Sequence, residues 1–182
     1  LVCEKAIPAF AQRAVVSGRA VALPNPSPQR IVVVGDTGCR LKSADGVFQA
    51  CNDPAQWPFA AVAGAAADAR PDLVIHVGDY HYRENACPDG NIGCAGSPWG
   101  YGWDAWEADL FAPAARLLAA APWILVRGNH ESCSRAGQGW WRFLDPRRLH
   151  LRPHGCQLRG EELVLGIQDF QEVGIAVVEF QH

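Results

Sequence analysis

The chain has 182 residues, a formal charge of -3 at pH 7 and a sequence pI near 6.1. This length is enough for one domain with a hydrophobic core. The slight negative charge provides no basic field for a polyanion, so nucleic-acid binding is not expected. Hydrophobic residues make up 49% of the chain, but no uncharged run approaches the roughly 20 residues that a membrane helix needs. We therefore expect neither a nucleic-acid nor a membrane partner.

The 7 cysteines are many for a protein of a reducing compartment. Cys39 and Cys51 bracket one polar loop, and Cys87 and Cys94 bracket another, so each pair can close a local disulfide. Connectivity does not follow from sequence alone, and the odd count leaves at least one thiol over. This cysteine usage predicts a secreted or periplasmic protein.

Residues 1–29 are predicted to form an N-terminal helix followed by a linker. Apolar residues recur at near-helical intervals over residues 3–18, as in an amphipathic helix. Three prolines then predict an extended linker before the main domain, which we place at 30–182: Pro24, Pro26 and Pro28.

The first half of the main domain has a strand–helix–strand pattern. Residues 30–35 are apolar and mostly β-branched, as in a strand covered on both faces. Asp53-Pro54 is typical of a helix N-terminus and predicts an Ala-rich helix to about Arg70, before Pro71. A second strand over 72–78 would then pair with the first in parallel.

The alternation continues after a long glycine-rich loop over residues 83–103. A second helix is predicted over 104–121 with a break at Pro113, followed by a third strand that ends at 129. A short helix over 138–144 and strands over 163–167 and 174–180 complete the pattern. This alternation predicts an α/β fold built in layers around a sheet.

Polar groups follow each of the three strands. Asp36, Asp79 and Asn129 each come directly after a glycine at a strand end, and His130 follows Asn129. Ligand groups of open α/β sheets lie at such strand ends, so these residues predict one shared site. Carboxylate, amide, imidazole and phenol groups suit Fe, Mn and Zn, and two such metals can activate water and neutralise a phosphate.

The three segments resemble the first three motif blocks of the calcineurin-like metallophosphoesterases. The blocks are GDTG at 35–38, GDYHY at 78–82 and GNHE at 128–131, in the family's order. The resemblance covers about residues 30–145 and implies a layered metallophosphoesterase-type sandwich that hydrolyses phosphoesters at a dinuclear metal centre. It implies the following roles: Asp36 binds one metal, Asp79 bridges both, Asn129 binds the other and His130 contacts the phosphate as the catalytic histidine.

Two details resemble the purple acid phosphatases within this family. Gly38 stands where many members have the histidine of an Asp-x-His, and Tyr82 follows Asp79 by three residues. The resemblance implies that Tyr82, rather than Tyr80, binds ferric iron, with Zn, Mn or a second Fe beside it. The implied substrate is a phosphate monoester. The alternative is a phosphodiesterase or nucleotidase of the same superfamily.

The later motif blocks of the family, a single histidine and a Gly-His-x-His, are not recognisable in the sequence. The histidines after His130 are His150, His154 and His182, and none lies in a Gly-His-x-His. We therefore expect a domain that is incomplete or altered at its C-terminus. The competing hypothesis is a catalytically incompetent, phosphatase-like fragment.

Four residues near the motifs have less specific interpretations. His76 precedes the strand end and is interpreted as a core histidine behind the site, and Tyr80 as a packing residue. His81 points either into the site or to solvent. Cys133, close to His130, is not expected to be a nucleophile, because cysteines of exported proteins usually pair.

Overall fold

The structure is a computed structural model that describes residues 6–8, 11–145 and 174–179. The described strands are β1 (Ala14–Val16), β2 (Arg19–Val21), β3 (Arg30–Gly35), β4 (Leu41–Lys42), β5 (Val47–Phe48), β6 (Leu73–His76), β7 (Trp123–Leu125) and β8 (Gly174–Glu179). The described α-helices are α1 (Phe59–Asp68), α2 (Trp103–Trp106), α3 (Ala115–Ala120) and α4 (Gly137–Phe143).

The main sheet has 4 strands in the order β7-β6-β3-β8. β3 pairs in parallel with β6, and β6 pairs in parallel with β7, as the sequence predicts. β8 pairs antiparallel with β3 on the other side. Because β3, β6 and β7 run in one direction, the loops that follow them emerge at one edge of the sheet.

The hydrophobic core lies between one face of this sheet and the helices. Val32, Val34 and Val74 are buried and belong to one cluster with apolar residues of the helical segments, among them Phe59, Ala63, Trp106, Leu110, Leu117 and Trp140. Burying aliphatic and aromatic side chains of this size stabilises the fold by about 1.5–3 kcal/mol each. The mixed α/β class predicted from the sequence is confirmed, whereas the layered sandwich and the incomplete C-terminus stay predictions.

The first predicted helix begins later than its sequence indicates. Asp53 forms a turn: its carboxylate accepts the Ala55 amide at 2.9 Å, and its carbonyl accepts the Trp57 amide at 2.9 Å. α1 begins only after Pro58. The aspartate side chain is therefore satisfied within a turn, which is the structure that competes with an N-cap.

The second predicted helix is interrupted. A π-helical turn, Glu107–Phe111, follows α2 directly, and α3 begins only beyond Pro113, which confirms the break. The π-helical turn buries Asp109 and Leu110. π-helical turns often occur at functional sites. Here the turn buries Asp109, whose carboxylate accepts backbone amides at the predicted site.

The predicted N-terminal helix is wrong where the structure describes it. β1 and β2 form an antiparallel hairpin joined by Ser17 and Gly18, which have φ of 48° and 79°. Positive φ at both central residues is typical of a two-residue hairpin turn whose twist matches that of the strands. The Ser-Gly dipeptide was the local signal for this turn, and the apolar intervals misled because strands of 3 residues are too short to show alternation.

Both local cysteine pairs form disulfides, Cys39–Cys51 and Cys87–Cys94. Cys133 is also disulfide-bonded. In the described ranges, no helix is long and apolar enough to cross a membrane. The strand predicted at 163–167 and the histidines His150, His154 and His182 lie outside the described residues.

Candidate functional site

Three loops meet at the edge where β3, β6 and β7 end. The Asp36 amide donates to the Gly78 carbonyl at 3.2 Å, and the Thr37 amide donates to the Asp79 carbonyl at 3.1 Å. The His130 amide donates to Asp79 Oδ1 at 2.9 Å. Backbone hydrogen bonds therefore hold the three motif segments together and bring the predicted site residues to one place.

Tyr82 joins the two carboxylates of the site. Its hydroxyl donates to Asp36 Oδ1 at 2.6 Å and lies 3.5 Å from Asp79 Oδ2. Burial, and then the hydrogen bond to Asp36, raise the pKa of Tyr82 well above its ordinary value. The three oxygens are thus close enough to share one cation, which would favour the phenolate that these surroundings otherwise oppose.

The Asn129 amide faces the Asp79 carboxylate. With its nitrogen towards Asp79, the amide donates to Oδ2 at 2.8 Å and to Oδ1 at 3.2 Å. With its oxygen there, two acceptors would repel each other unless a cation neutralised them. The side chains of Asn129 and Asp79 are therefore in direct contact.

The backbone at the two aspartates is in an unusual conformation. Asp36 and Asp79 have φ of 55° and 59°, in the left-handed region that non-glycine residues rarely adopt. Such residues cluster at functional sites, where the surrounding structure holds them. A Cβ at Gly128 would overlap the backbone nitrogen and carboxylate of Asp79, so only glycine lets these two loops approach so closely.

Gly38 and Tyr82 depend on each other. A Cβ at Gly38 would lie 2.8 Å from Tyr82 Cδ2 and 2.7 Å from the Tyr80 carbonyl oxygen. Real Cβ atoms essentially never show such distances. The space that a histidine at position 38 needs is therefore filled by the Tyr82 ring, which explains physically why the sequence has glycine at one position and tyrosine at the other.

Glu131 organises two of the loops, a role that the sequence analysis missed. Its Oε1 accepts the amides of Tyr80 at 2.9 Å and His81 at 3.2 Å. Its Oε2 accepts those of Asp79 at 3.0 Å and Gly128 at 3.1 Å. Burial, and then the neighbouring Asp79 charge, raise the pKa of Glu131 to about 7. The only signal in the sequence was its place as the last residue of the third block.

Asp109 is a second buried carboxylate that the sequence analysis missed. It accepts the amides of Cys39 at 2.9 Å, Tyr82 at 2.8 Å and Arg83 at 3.2 Å. The Arg83 guanidinium also pairs with it at 2.6 Å. Burial raises the pKa of Asp109, and Arg83 opposes that shift. Asp109 thus fixes the Asp36 loop against the Tyr82 loop, and no sequence motif marks it.

His130 is buried at the rim of the site. Its ring lies against that of Tyr82, with the centroids 3.8 Å apart and the planes tilted by 33°, and its Nδ1 lies 2.9 Å from the His81 carbonyl oxygen. The His81 carbonyl oxygen favours a proton on Nδ1, whereas Arg135 Nη2, which can only donate, lies 2.7 Å from Nδ1 and 3.0 Å from Nε2, so the two neighbours favour different tautomers. Burial, and then Arg135, lower the pKa of His130 to about 3. The ring is therefore neutral here.

His76, Tyr80 and His81 are buried. His76 Nδ1 accepts the Gly78 amide at 3.2 Å, so Nε2 carries the proton and donates to Thr37 at 2.9 Å. This geometry agrees with a core histidine behind the site. Tyr80 packs on His76 and donates to a carbonyl, that of Val126, at 2.8 Å.

His81 does not point to solvent, since its ring lies against Tyr101 and Trp106. Its carbonyl oxygen, rather than its imidazole, contacts His130. The disulfide at Cys133 leaves no thiol there to act as a nucleophile.

The donor set fits metal ions but is incomplete among the described residues. In those ranges, no group of 3 or more His, Cys, Asp or Glu side chains lies close enough to hold a metal. Asp36 and Asp79 are instead supplemented by a phenol and an amide, Tyr82 and Asn129. These are hard oxygen donors that suit Fe and Mn.

A family model confirms the resemblance that the motif blocks carry. The model of the calcineurin-like phosphoesterases matches residues 29–171. The chain belongs to this family. The match extends beyond residue 145, where the recognisable motifs end. No curated protein and no solved structure matches the chain. Membership supports metal-dependent phosphoester hydrolysis in a family that generally binds two divalent metals.

Proposed function

We propose that this calcineurin-like phosphoesterase hydrolyses phosphate monoesters at a dinuclear metal centre, as purple acid phosphatases do. The observation that carries the proposal is the contact of Tyr82 with both Asp36 and Asp79. The purple acid phosphatases have a tyrosine ligand instead of the histidine of the Asp-x-His motif. This replacement requires the phenol to lie between the two carboxylates. The two disulfides support a secreted or periplasmic location, because such bonds persist in oxidising compartments.

Each ligand has a proposed place in the centre. Asp36 and Tyr82 would hold an iron ion, Asn129 would hold a second Fe, Zn or Mn, and Asp79 would be a ligand of both. The metals supply Lewis acidity and lower the pKa of water, which is the chemistry that phosphoester hydrolysis needs. Glu131 and Asp109 keep the ligand loops in register through backbone amides, so the ligands are positioned before any metal binds.

His130 is proposed to contact the substrate. When Nδ1 donates its proton to the His81 carbonyl oxygen, donation towards a phosphate oxygen requires a second proton on Nε2. A phosphate dianion beside the ring favours that protonated form, since an opposite charge raises the pKa of an imidazole. The histidine can then stabilise the departing oxygen.

Phosphatase activity towards an aryl phosphate tests the proposal. We expect activity with Fe, Zn or Mn that is lost on chelation and in Asp79→Ala, by at least about a hundredfold. Asp68→Ala removes a carboxylate that pairs with Arg116 on the exposed surface and is the matched control. An Asp79→Ala variant as active as wild type, or a wild type inactive with every metal, would overturn the proposal.

The iron assignment has a separate optical test. A tyrosinate bound to ferric iron gives a visible charge-transfer band, so the iron-loaded chain should be coloured. Tyr82→Phe should abolish the band and Tyr80→Phe should keep it. A colourless, active zinc or manganese enzyme would contradict the purple acid phosphatase assignment and leave the phosphoesterase assignment intact.

A non-catalytic, phosphatase-like module is the second candidate. It is favoured by the described residues, among which no group of 3 or more His, Cys, Asp or Glu side chains lies close enough to hold a metal. This hypothesis predicts that the chain binds metal poorly and gives no turnover of aryl monoesters or diesters. Activity that copurifies with wild type and is lost in Asp79→Ala excludes it.

A further inference from the structure

We propose that Arg40 binds a phosphate oxygen of the substrate and makes the site prefer dianionic monoesters to monoanionic diesters. The inference rests on the proposed function and deepens it, because it adds a residue that recognises the charge of the substrate. No motif block includes Arg40, which follows the first block by two positions.

The backbone of Arg40 is fixed on both sides. Its amide donates to Gln49 Oε1 at 3.0 Å, and its carbonyl accepts the Gln49 amide at 2.8 Å. The preceding Cys39 forms a disulfide with Cys51 and donates its amide to Asp109. A backbone held in this way loses little further entropy on binding, so the cost that remains is that of ordering the side chain.

The guanidinium of Arg40 lies at the site. Its Cζ is 5.6 Å from the centroid of the Tyr82 ring, and the other neighbour of that ring is His130, at 3.8 Å. The positive charge of Arg40 acts on both groups, because it opposes the rise in the pKa of Tyr82 and adds to the fall in that of His130. Arg40 therefore belongs to the surroundings of the proposed metal and phosphate positions.

Two other cations near the site, Arg135 and Lys42, already have carboxylate partners. Arg135 pairs with Glu84, and Lys42 lies 3.5 Å from Asp45 and 3.8 Å from Glu84. Within the described part of the chain, Arg40 forms no such ion pair, and its buried Nε has no hydrogen-bond partner. A partly buried guanidinium with an unused donor is costly without an anion, and a substrate phosphate would supply one.

The chemistry favours a dianion. A guanidinium can donate two parallel hydrogen bonds to a phosphate, which adds geometric specificity to the charge attraction. A monoester at neutral pH carries about two negative charges and a diester one, so the Coulomb attraction to Arg40 is about twice as large for the monoester. Removing the charge should therefore weaken monoester binding more than diester binding.

Three variants test this inference in the metal-supplemented chain. Arg40→Gln removes the charge, Arg40→Lys restores it without the planar fork, and Arg116→Gln removes a cation from an exposed surface pair. We expect Arg40→Gln to weaken binding of inorganic phosphate about tenfold in calorimetry and to raise KM for an aryl monoester about tenfold, against about threefold or less for an aryl diester. Arg40→Lys should recover part of the loss, and Arg116→Gln should match wild type.

Equal phosphate affinity in Arg40→Gln and wild type would overturn the inference, and so would an equal loss in Arg116→Gln. A second measurement needs no folded variant: the Nε–H signal of Arg40 in the NMR spectrum of wild type should shift on addition of inorganic phosphate, whereas that of Arg116 should not. Phosphate binding that depends on Arg40 in a chain without activity would contradict the catalytic proposal alone. An active enzyme with an unaltered KM in Arg40→Gln would contradict only the role of Arg40.

Discussion

Two buried carboxylates hold the two halves of the candidate site in different ways. Asp109 joins the Asp36 loop to the Tyr82 loop, and the Arg83 guanidinium pairs with its charge at 2.6 Å. Glu131 joins the Asp79 loop to the Gly128 loop through four backbone amides. The difference indicates that the half around Asp109 depends on a buried ion pair. The half around Glu131 depends instead on hydrogen bonds from backbone amides to a carboxylate that forms no ion pair within the described residues.

Removing Asp109 should have the largest effect. Asp109→Ala leaves the Arg83 charge buried and unpaired and also leaves three amides without their acceptor, so the free energy of unfolding should fall by about 3–5 kcal/mol. Chemical denaturation measures this change in the free energy of unfolding. Asp68→Ala breaks an exposed ion pair and should cost less than about 1 kcal/mol. Equal changes in the two variants would refute the ion-pair account.

A double variant sharpens the same comparison. Adding Arg83→Met to Asp109→Ala removes the uncompensated charge, so the double variant should be more stable than the Asp109→Ala variant. If the double variant is the less stable of the two, the loss in Asp109→Ala comes from the amides and not from Arg83.

Glu131→Gln should cause the second-largest loss in the free energy of unfolding. The Gln carbonyl oxygen can still accept two of the amides, but its NH2 group would face the other two, which lose their acceptor. Buried unsatisfied donors of this kind cost about 1–3 kcal/mol each, so we expect a loss of about 2–3 kcal/mol in chemical denaturation. A loss below about 0.5 kcal/mol would mean that Glu131 does not hold the loops.

His76 links the halves through Thr37 and makes stability depend on pH. Its pKa is lowered to about 3 in the folded chain because burial disfavours its charged form, so below the unfolded value of 6.5 only the unfolded chain takes up the proton. The free energy of unfolding therefore falls as pH falls, by about 1.4 kcal/mol per pH unit for this residue between about pH 5 and about pH 4. His76→Gln should show a smaller slope by that amount, and an unchanged slope would contradict the assignment.

The three strands and the residues at their ends could be predicted because each carries a local signal. A run of apolar residues leads to a glycine and then to a polar residue, and Asp36, Asp79 and Asn129 meet as the parallel order requires. Asp109 and Glu131 could not be assigned, since most of their partners are backbone amides, which leave no trace in the side-chain pattern, and Arg83, the charged partner of Asp109, is 26 residues away in the sequence. The N-terminal hairpin was missed because its strands are too short to alternate.

Tyr82→Phe should have the smallest effect on stability. It removes one hydrogen bond to Asp36, of 2.6 Å, and should lower the free energy of unfolding of the metal-free chain by about 1 kcal/mol. In the metal-loaded chain the loss should be larger, since a ligand is lost as well. Equal losses with and without metal, in paired denaturation curves, would exclude Tyr82 as a ligand.

Metal retention by the Asp79→Asn variant tests the central claim most directly. The account predicts that wild type, loaded with Fe or Mn and dialysed, retains about two ions per chain in elemental analysis. Asp79→Asn should retain well below one, and the surface variant Asp68→Asn should match wild type. Equal retention by wild type and Asp79→Asn, or none by wild type, would contradict the claim that these three loops form one metal site.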